Sequence, residues 1–152
     1  MQISEDEQSY TDFDWFCVDP SGNVGHFTSA GYKAIPSSVA RSAEDLRFLN
    51  AFFEGLNAAP DAHTLDEHLV LECRTDRYLR DFIAMANRGL YSFDIESHLK
   101  PEICYFRVAL PKSPLRFADL PERIRALLGR TVLKDRSLEE CSVVPYSDTL
   151  NI

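Results

Sequence analysis

The sequence predicts a single α+β domain in which an antiparallel sheet is covered by three or four helices. Three observations lead to this class. Segments rich in aromatic and β-branched residues are bounded by turn residues, other segments carry apolar residues at helical spacing, and no repeat, linker or low-complexity tract interrupts the 152 residues. A chain of this length buries about 68 to 70% of the surface that its unfolded form exposes. It therefore needs neither a metal nor disulfides to fold.

The first predicted element is a β-hairpin near the N-terminus. Residues 15–19 and 24–28 are both rich in aromatic and β-branched side chains. Between them, the Asp19 carboxylate is suited to accept from turn amides, and Gly22 tolerates the left-handed conformation that closes such a loop. We therefore expect a hairpin that turns over residues 19–23.

Three further segments have the apolar spacing of helices. The first begins at Ser42, where a capping box precedes a broad apolar stripe over residues 46–56. A second capping box at Thr64 opens a segment that is too short and too apolar to assign firmly between helix and strand, and we expect a helix there. The third helix runs from a cap at Asp76 to Gly89, which ends it.

The second half of the chain predicts two longer strands and a last helix. Residues 90–95 and 103–110 alternate in polarity and are expected to pair as antiparallel strands. A short helix is predicted over 119–129. Residues 131–133 and 142–144 are candidates for short edge strands.

The charge is divided unevenly along the chain. Residues 1–76 hold four Lys and Arg against fourteen Asp and Glu, a net charge of −10, and residues 77–152 carry +2. Because nucleic-acid binding rests on cations that displace counterions, no direct DNA or RNA binding is expected. The acidic start has no features of a signal peptide, and no apolar run spans a bilayer. We therefore expect a cytoplasmic protein with no membrane partner, and residues 1–11 are a candidate for disorder.

The cysteines are too scattered to form a recognisable metal or redox motif. They are separated by 56, 31 and 37 residues, and no C-x-x-C pair exists. In apolar surroundings such thiols are typical of small core residues in a reducing compartment.

One cluster of potential metal ligands lies near the middle of the chain. His68 and Glu72 are four residues apart and could hold a divalent ion from one helical turn. His63 lies five residues before His68, which directs the two rings apart, and H-E-x-x-H is absent. A solvated acidic helix face is therefore favoured, and a small hydrolase or metal-dependent enzyme that uses this cluster remains an alternative.

A second potential catalytic group is His26 on the predicted hairpin. With Asp14 or Asp19 nearby it could act as a base. The sequence contains no G-x-S-x-G, P-loop or G-x-G-x-x-G motif to accompany it. Catalysis needs a base, a nucleophile and an orienting group together, so we predict neither an enzyme nor a cofactor.

Two stretches resemble a group of small bacterial proteins of unknown function. Residues 15–32 (WFCVDPSGNVGHFTSAGY) are followed by Ile35-Pro36, and residues 88–94 read RGLYSFD. Members of the group resemble cytoplasmic immunity or accessory proteins encoded with toxins. The resemblance implies a non-enzymatic protein-binding module and identifies no catalytic residue.

An acidic half-chain suits an immunity protein that neutralises a basic toxin, because negative charge steers association with basic enzymes such as nucleases. A structural, homo-oligomeric accessory protein is a further alternative. The candidate docking residues are acids outside the apolar stripes, since a carboxylate at a rim costs little while a buried one costs several kcal/mol. These candidates are Asp12, Asp14, Glu44, Glu54, Asp61, Asp66 and Glu67.

Overall fold

The predicted hairpin is present in the computed structural model, which describes residues 1–96 and 103–149. Strands β1 (Asp14–Val18) and β2 (Val24–Thr28) pair in antiparallel register. The Asp19 carboxylate accepts from the backbone N–H groups two and four residues later, at 3.0 and 2.9 Å. Gly22 has φ of 82°, as the closing position of the loop requires. The prediction of this hairpin is confirmed.

The described residues contain five α-helices: α1 (Glu5–Tyr10), α2 (Ser37–Ala40), α3 (Ala43–Glu54), α4 (Asp76–Ala86) and α5 (Glu122–Leu128). Ser42 caps α3, where its hydroxyl accepts from the N–H of the third helical residue. The cap of α4 is Thr75, one residue before the predicted Asp76, because the Thr75 hydroxyl accepts from the Tyr78 N–H. Helix α1 lies within the segment that was a candidate for disorder, and Ile3 beside it is 1% exposed.

The remaining strands are β3 (His63–Leu65), β4 (Tyr91–Glu96), β5 (Cys104–Pro111) and β6 (Val143–Pro145). The sheet order is β1-β2-β4-β5-β3, and β6 pairs with β5 beside β3. The sheet is mixed, since β2 and β4 run parallel, so the expectation of a purely antiparallel sheet is wrong. The long connection between these strands, which includes α3 and α4, lets the chain return in the same direction.

The segment that begins at Thr64 is not a helix. Thr64 pairs with Leu110 in the β3–β5 ladder, and only a 3-10 turn, Leu71–Cys73, follows. Asp66, which follows β3, accepts hydrogen bonds from the His68 N–H and from Arg107. At the end of the chain, residues 131–133 contribute an isolated parallel bridge to β1 instead of a strand, while β6 confirms the predicted edge strand near 142–144.

The core lies on both faces of the sheet. On one face, Trp15, Phe27 and Phe93 stack with ring centroids 4.5 and 4.6 Å apart, and Tyr105 meets Phe27 edge-on at 5.0 Å. The chain around α2 and the segment between α5 and β6 cover these rings. Helices α3, α4 and α5 cover the other face. No helix in the described part of the chain is long and apolar enough to cross a membrane.

Candidate functional site

The helix-covered face of the sheet carries a row of polar side chains where α4 crosses it. His26 on β2 and Ser92 on β4 are register partners, and their Nδ1 and Oγ atoms are 2.7 Å apart. On the other side of the ring, His26 Nε2 lies 3.4 Å from Asp14 Oδ1. Strand alternation explains the arrangement, because the three residues lie on one face of three neighbouring strands.

This arrangement has the composition of a catalytic triad but is enclosed. His26 is 1% exposed and Ser92 is 0% exposed. The rings of Phe16 and Phe82 lie 5.7 and 6.2 Å from the imidazole. A nucleophile must reach its substrate, so the geometry gives His26 a packing role here instead of the role of a base.

A second polar group on the same face is centred on Asp94 of β4. Its Oδ1 accepts from the Thr28 hydroxyl at 2.6 Å and from the Ile95 N–H at 2.8 Å, and its Oδ2 accepts from the Tyr78 hydroxyl at 2.5 Å. Burial, and after it the Asp94 carboxylate, raises the pKa of Tyr78. The phenol therefore stays protonated and remains a donor to the carboxylate.

Beside Asp94 lies a cavity of about 450 Å³ between the N-terminal end of α4, strands β4 and β5, and the start of β6. We call it the α4 cavity. Its wall is mostly apolar and includes Val70, Val143 and Phe106, which is the register partner of Asp94 on β5. Cys73 also lines it, and burial raises the pKa of this thiol. A thiol with a raised pKa is a weak nucleophile at neutral pH.

The residues of the candidate metal cluster, which was the alternative to a solvated acidic face, do not converge. His63 Nδ1 bonds Asn87 Oδ1 at 2.8 Å, while His68 Nδ1 lies 3.2 Å from Asp66 Oδ1. Glu72 lies on the 3-10 turn. Across residues 1–96 and 103–149, no three His, Cys, Asp or Glu side chains are grouped as a metal site requires.

A separate groove of about 470 Å³ lies between α1, β1 and α3. Four acids line it, Glu7, Asp12, Asp14 and Glu54, together with one cation, Arg47. We call it the acidic groove. Three of the seven predicted docking residues are thus brought together on one surface.

Two of these acids are held by the fold. The Asp12 carboxylate accepts from the Ala30 N–H at 2.7 Å, and Asp14 lies at the end of the polar row. Partial desolvation raises the pKa of the Asp12 carboxyl, the N–H of Ala30 opposes the rise, and the negative charges of Asp14 and Asp94 add to it. The carboxylates of the groove therefore lie close enough to repel one another.

The other predicted docking residues lie elsewhere. Glu44, at the start of α3, bonds the N-terminal ammonium, which lowers the pKa of its carboxyl. Glu67 has an 87% exposed side chain on the turn after β3, and Asp61 lies in the loop before β3 with φ of 54°. The structure does not bring these three residues into the acidic groove.

Asp66 contradicts the expectation of an exposed acid. It is 1% exposed, and its Oδ2 accepts from Arg107 Nε at 2.8 Å. Arg107 is itself 9% exposed and donates from Nη1 to the carbonyls of Leu138 and Glu139 at 2.7 and 2.6 Å. Asp66 therefore joins β3 to β5 and the C-terminal segment, and a partner cannot reach it.

Sequence reasoning missed Glu7 and the arrangement around Asp94. Glu7 falls in the segment that was a candidate for disorder. For Asp94 the signal was present, since alternation along β4 places it on the face opposite Phe93. Its partner Tyr78 comes from a different element, so the contact depends on how α4 crosses the sheet.

Comparisons with known protein families, with curated proteins and with solved structures find no match to this chain. The geometry above therefore carries the functional argument by itself. The resemblance to toxin-associated bacterial proteins stays a prediction.

Proposed function

We propose that this chain is a non-enzymatic protein-binding module of the immunity type, which neutralises a basic toxin by receiving it at the acidic groove. The observation that carries the proposal is the convergence of Asp12, Asp14 and Glu54, together with Glu7, on one groove. These acids come from α1, β1, α3 and the loop that joins α1 to β1. Their meeting on one surface is thus a property of the fold.

The electrostatics of the groove favour a basic partner. Arg47 is the cation among the lining residues, and its guanidinium lies 3.9 Å from Glu44 outside the groove. The four carboxylates of the groove are thus accompanied by one guanidinium, and Glu44 outside the groove also interacts with that guanidinium. A basic surface docked here relieves the repulsion that contributes to the raised pKa of Asp12. It also gains on-rate from long-range attraction.

Among the described residues, the histidines and Ser92 weighed above for catalysis are occupied in other ways. His26 and Ser92 are enclosed beneath α4, and His63 and His68 each bond a neighbouring side chain. These observations support a binding function over the alternative of a metal-dependent hydrolase.

The first experiment tests neutralisation. The chain is co-expressed with the product of each neighbouring reading frame in turn, and growth of the host is measured. We expect one neighbour to arrest growth when alone and to be tolerated in the presence of this chain. If a neighbour arrests growth and co-expression does not restore it, or if no neighbour is toxic, the immunity function is wrong.

The second experiment tests the groove with charge-matched variants of the chain and the partner found above. Asp12→Asn/Glu54→Lys raises the net charge by three at the groove, and Asp61→Asn/Glu67→Lys raises it by three away from it. Asn at position 12 keeps an acceptor for the N–H of Ala30, and Lys at position 54 suits a helix C-terminus.

We expect the association rate of the groove variant to fall by about tenfold or more at low salt, and that of the control to change by less than about twofold. The effect should shrink at 1 M salt, where the Debye length is about 3 Å. Equal loss in both variants would show that net charge, and not the groove, steers the partner.

A further inference from the structure

Asp94 is a carboxylate held in place by neutral donors only. Thr28, Tyr78 and the Ile95 N–H each contribute one hydrogen bond. In the described ranges, no Lys, Arg or His nitrogen lies within ion-pair distance of this carboxylate. Its geometry is therefore fixed before any ligand arrives, while its charge has no opposite partner within residues 1–96 and 103–149.

The wall around this carboxylate is open and apolar. Val70 and Val143 line the α4 cavity and are 57% and 47% exposed, and Leu71 next to Val70 is 82% exposed. Phe106, the register partner of Val143, forms a further part of the wall. Apolar side chains exposed together beside a cavity are typical of a binding site, because a ligand that covers them removes apolar surface from water.

We propose that the α4 cavity binds a small organic cation, in which an ammonium or amidinium group is carried on an apolar body. The cation contacts the free side of the Asp94 carboxylate, and the apolar body packs against Val70, Phe106 and Val143. This site is separate from the acidic groove, and the proposal does not rest on the proposed function.

The charges around the cavity select a cation over an anion. The guanidinium of Arg107 is already engaged by Asp66 and by two backbone carbonyls. Glu96 adds a second carboxylate to the lining. An anion would therefore meet the Asp94 carboxylate, which has no cationic partner among the described residues, whereas a cation forms a charge-assisted hydrogen bond with this fixed acceptor.

The volume selects a small molecule over a single side chain of a protein partner. At about 450 Å³ the cavity lies within the range of roughly 300 to 1,000 Å³ that is typical of small-molecule sites. Three shape-related probes therefore test the proposal. Phenethylamine carries the cation, 2-phenylethanol is neutral, and 3-phenylpropionate is an anion.

Binding is followed by ¹H–¹⁵N NMR titration of the full chain at pH 8. We expect phenethylamine to shift the amide signals of Asp94, Ile95 and Phe106, with a Kd at least about tenfold lower than that of the alcohol. The anionic probe, 3-phenylpropionate, should not shift these amide signals. Equal binding of amine and alcohol, or no binding of the amine at millimolar concentration, would overturn the proposal.

Two variants assign the binding to this cavity. Asp94→Asn removes the charge and is matched by Asp81→Asn on the exposed side of α4. Val70→Lys places an ammonium at the mouth on an already exposed position, and is matched by Tyr10→Lys at another exposed apolar residue. We expect the two cavity variants to weaken phenethylamine binding by about tenfold or more, and the two matched variants to leave it unchanged.

If Asp94→Asn fails to fold, Val70→Lys still decides the matter, because its side chain lies at the surface. Spermidine is a further control for unspecific attraction. Binding of spermidine as tight as that of phenethylamine would show a merely acidic surface and overturn the proposal. The groove variant Asp12→Asn/Glu54→Lys should bind phenethylamine normally, which keeps this test distinct from that of the proposed function.

Discussion

Replacement of Asp66 by Asn tests whether the Asp66–Arg107 pair holds the fold together. The Arg107 Nε and Asp66 Oδ2 atoms are 2.8 Å apart, and the two side chains are 9% and 1% exposed. At roughly 4 Å between charge centres and an effective dielectric constant of about 20, their attraction is about 4 kcal/mol. Loss of one partner from a buried pair costs about 3–5 kcal/mol, because the other charge stays buried and unpaired.

Asn keeps the size of Asp66 and one acceptor oxygen, so we expect the lower end of this range, a loss of about 3 kcal/mol in the free energy of unfolding. This is a large part of the 5–15 kcal/mol that is typical of a domain. Urea denaturation is the assay, followed by the fluorescence of Trp15, which is the single tryptophan of the chain and 0% exposed.

The control is Glu67→Gln, whose side chain is 87% exposed and whose effect should stay within about 0.5 kcal/mol. The double variant Asp66→Leu/Arg107→Met should be more stable than either single variant, because it leaves no charge unpaired. A loss below about 1 kcal/mol for Asp66→Asn, or strictly additive effects in the double variant, would refute this reasoning.

Three further predictions use the same urea assay. Gly89→Ala should lower the free energy of unfolding by about 2 kcal/mol or more, since φ is +100° and the added Cβ would lie 2.7 Å from a backbone nitrogen. Gly55→Ala, where φ is −78°, is the control. Equal losses of stability in the two variants would contradict the strain argument. Tyr105→Phe should lower the free energy of unfolding by about 1–3 kcal/mol, because the carbonyl of Ala34 loses the Tyr105 hydroxyl that donates to it at 2.5 Å. An unchanged urea midpoint would contradict this prediction and show that water replaces the hydroxyl. The raised pKa of Asp12 means that its carboxyl holds a proton more tightly in the folded state than in the unfolded state. The free energy of unfolding should therefore fall as pH rises from 3.8 through the raised pKa. Asp12→Asn should remove this fall, and identical pH profiles of the variant and the parent chain would contradict the prediction.

The elements that the sequence predicted well are those whose signals are local. The hairpin follows from turn chemistry at Asp19 and Gly22, and α3 follows from the cap at Ser42 and its apolar stripe. In each case the deciding contacts lie within four residues of one another. Contacts of this short range can be recognised in the sequence itself.

The errors concern residues whose partners are distant in sequence. The parallel pairing of β2 with β4 joins Gly25 to Tyr91 across the long connection through α3 and α4, and no local pattern specifies strand direction. Thr64 has the signature of a helix cap, but the ladder with Leu110 overrides it. Tertiary pairing decided these positions.

The candidate site divides in the same way. The sequence identified Asp12, Asp14 and Glu54 as acids outside the apolar stripes, and the fold places them on one groove. It assigned the same role to Asp66, because nothing in its neighbourhood reveals a cation 41 residues later in the chain. The amino-acid composition predicts that the surface is negatively charged. The topology decides which acidic residues are instead buried in ion pairs, as Asp66 is with Arg107.

The polar row of Asp14, His26 and Ser92, together with the neighbouring group around Asp94, links the fold to both proposed sites. Only three register pairs join β2 to β4, and the His26–Ser92 and Thr28–Asp94 bonds cross this junction. A slip of two residues would keep every side chain on its face but break both bonds, and it would leave either Ser92 or His26 buried without its present partner, at a cost of about 1–3 kcal/mol. We infer that the row fixes this register. Asp14 lines the acidic groove and Asp94 lines the α4 cavity. Side chains that help to specify the sheet therefore also present a carboxylate to each proposed binding surface.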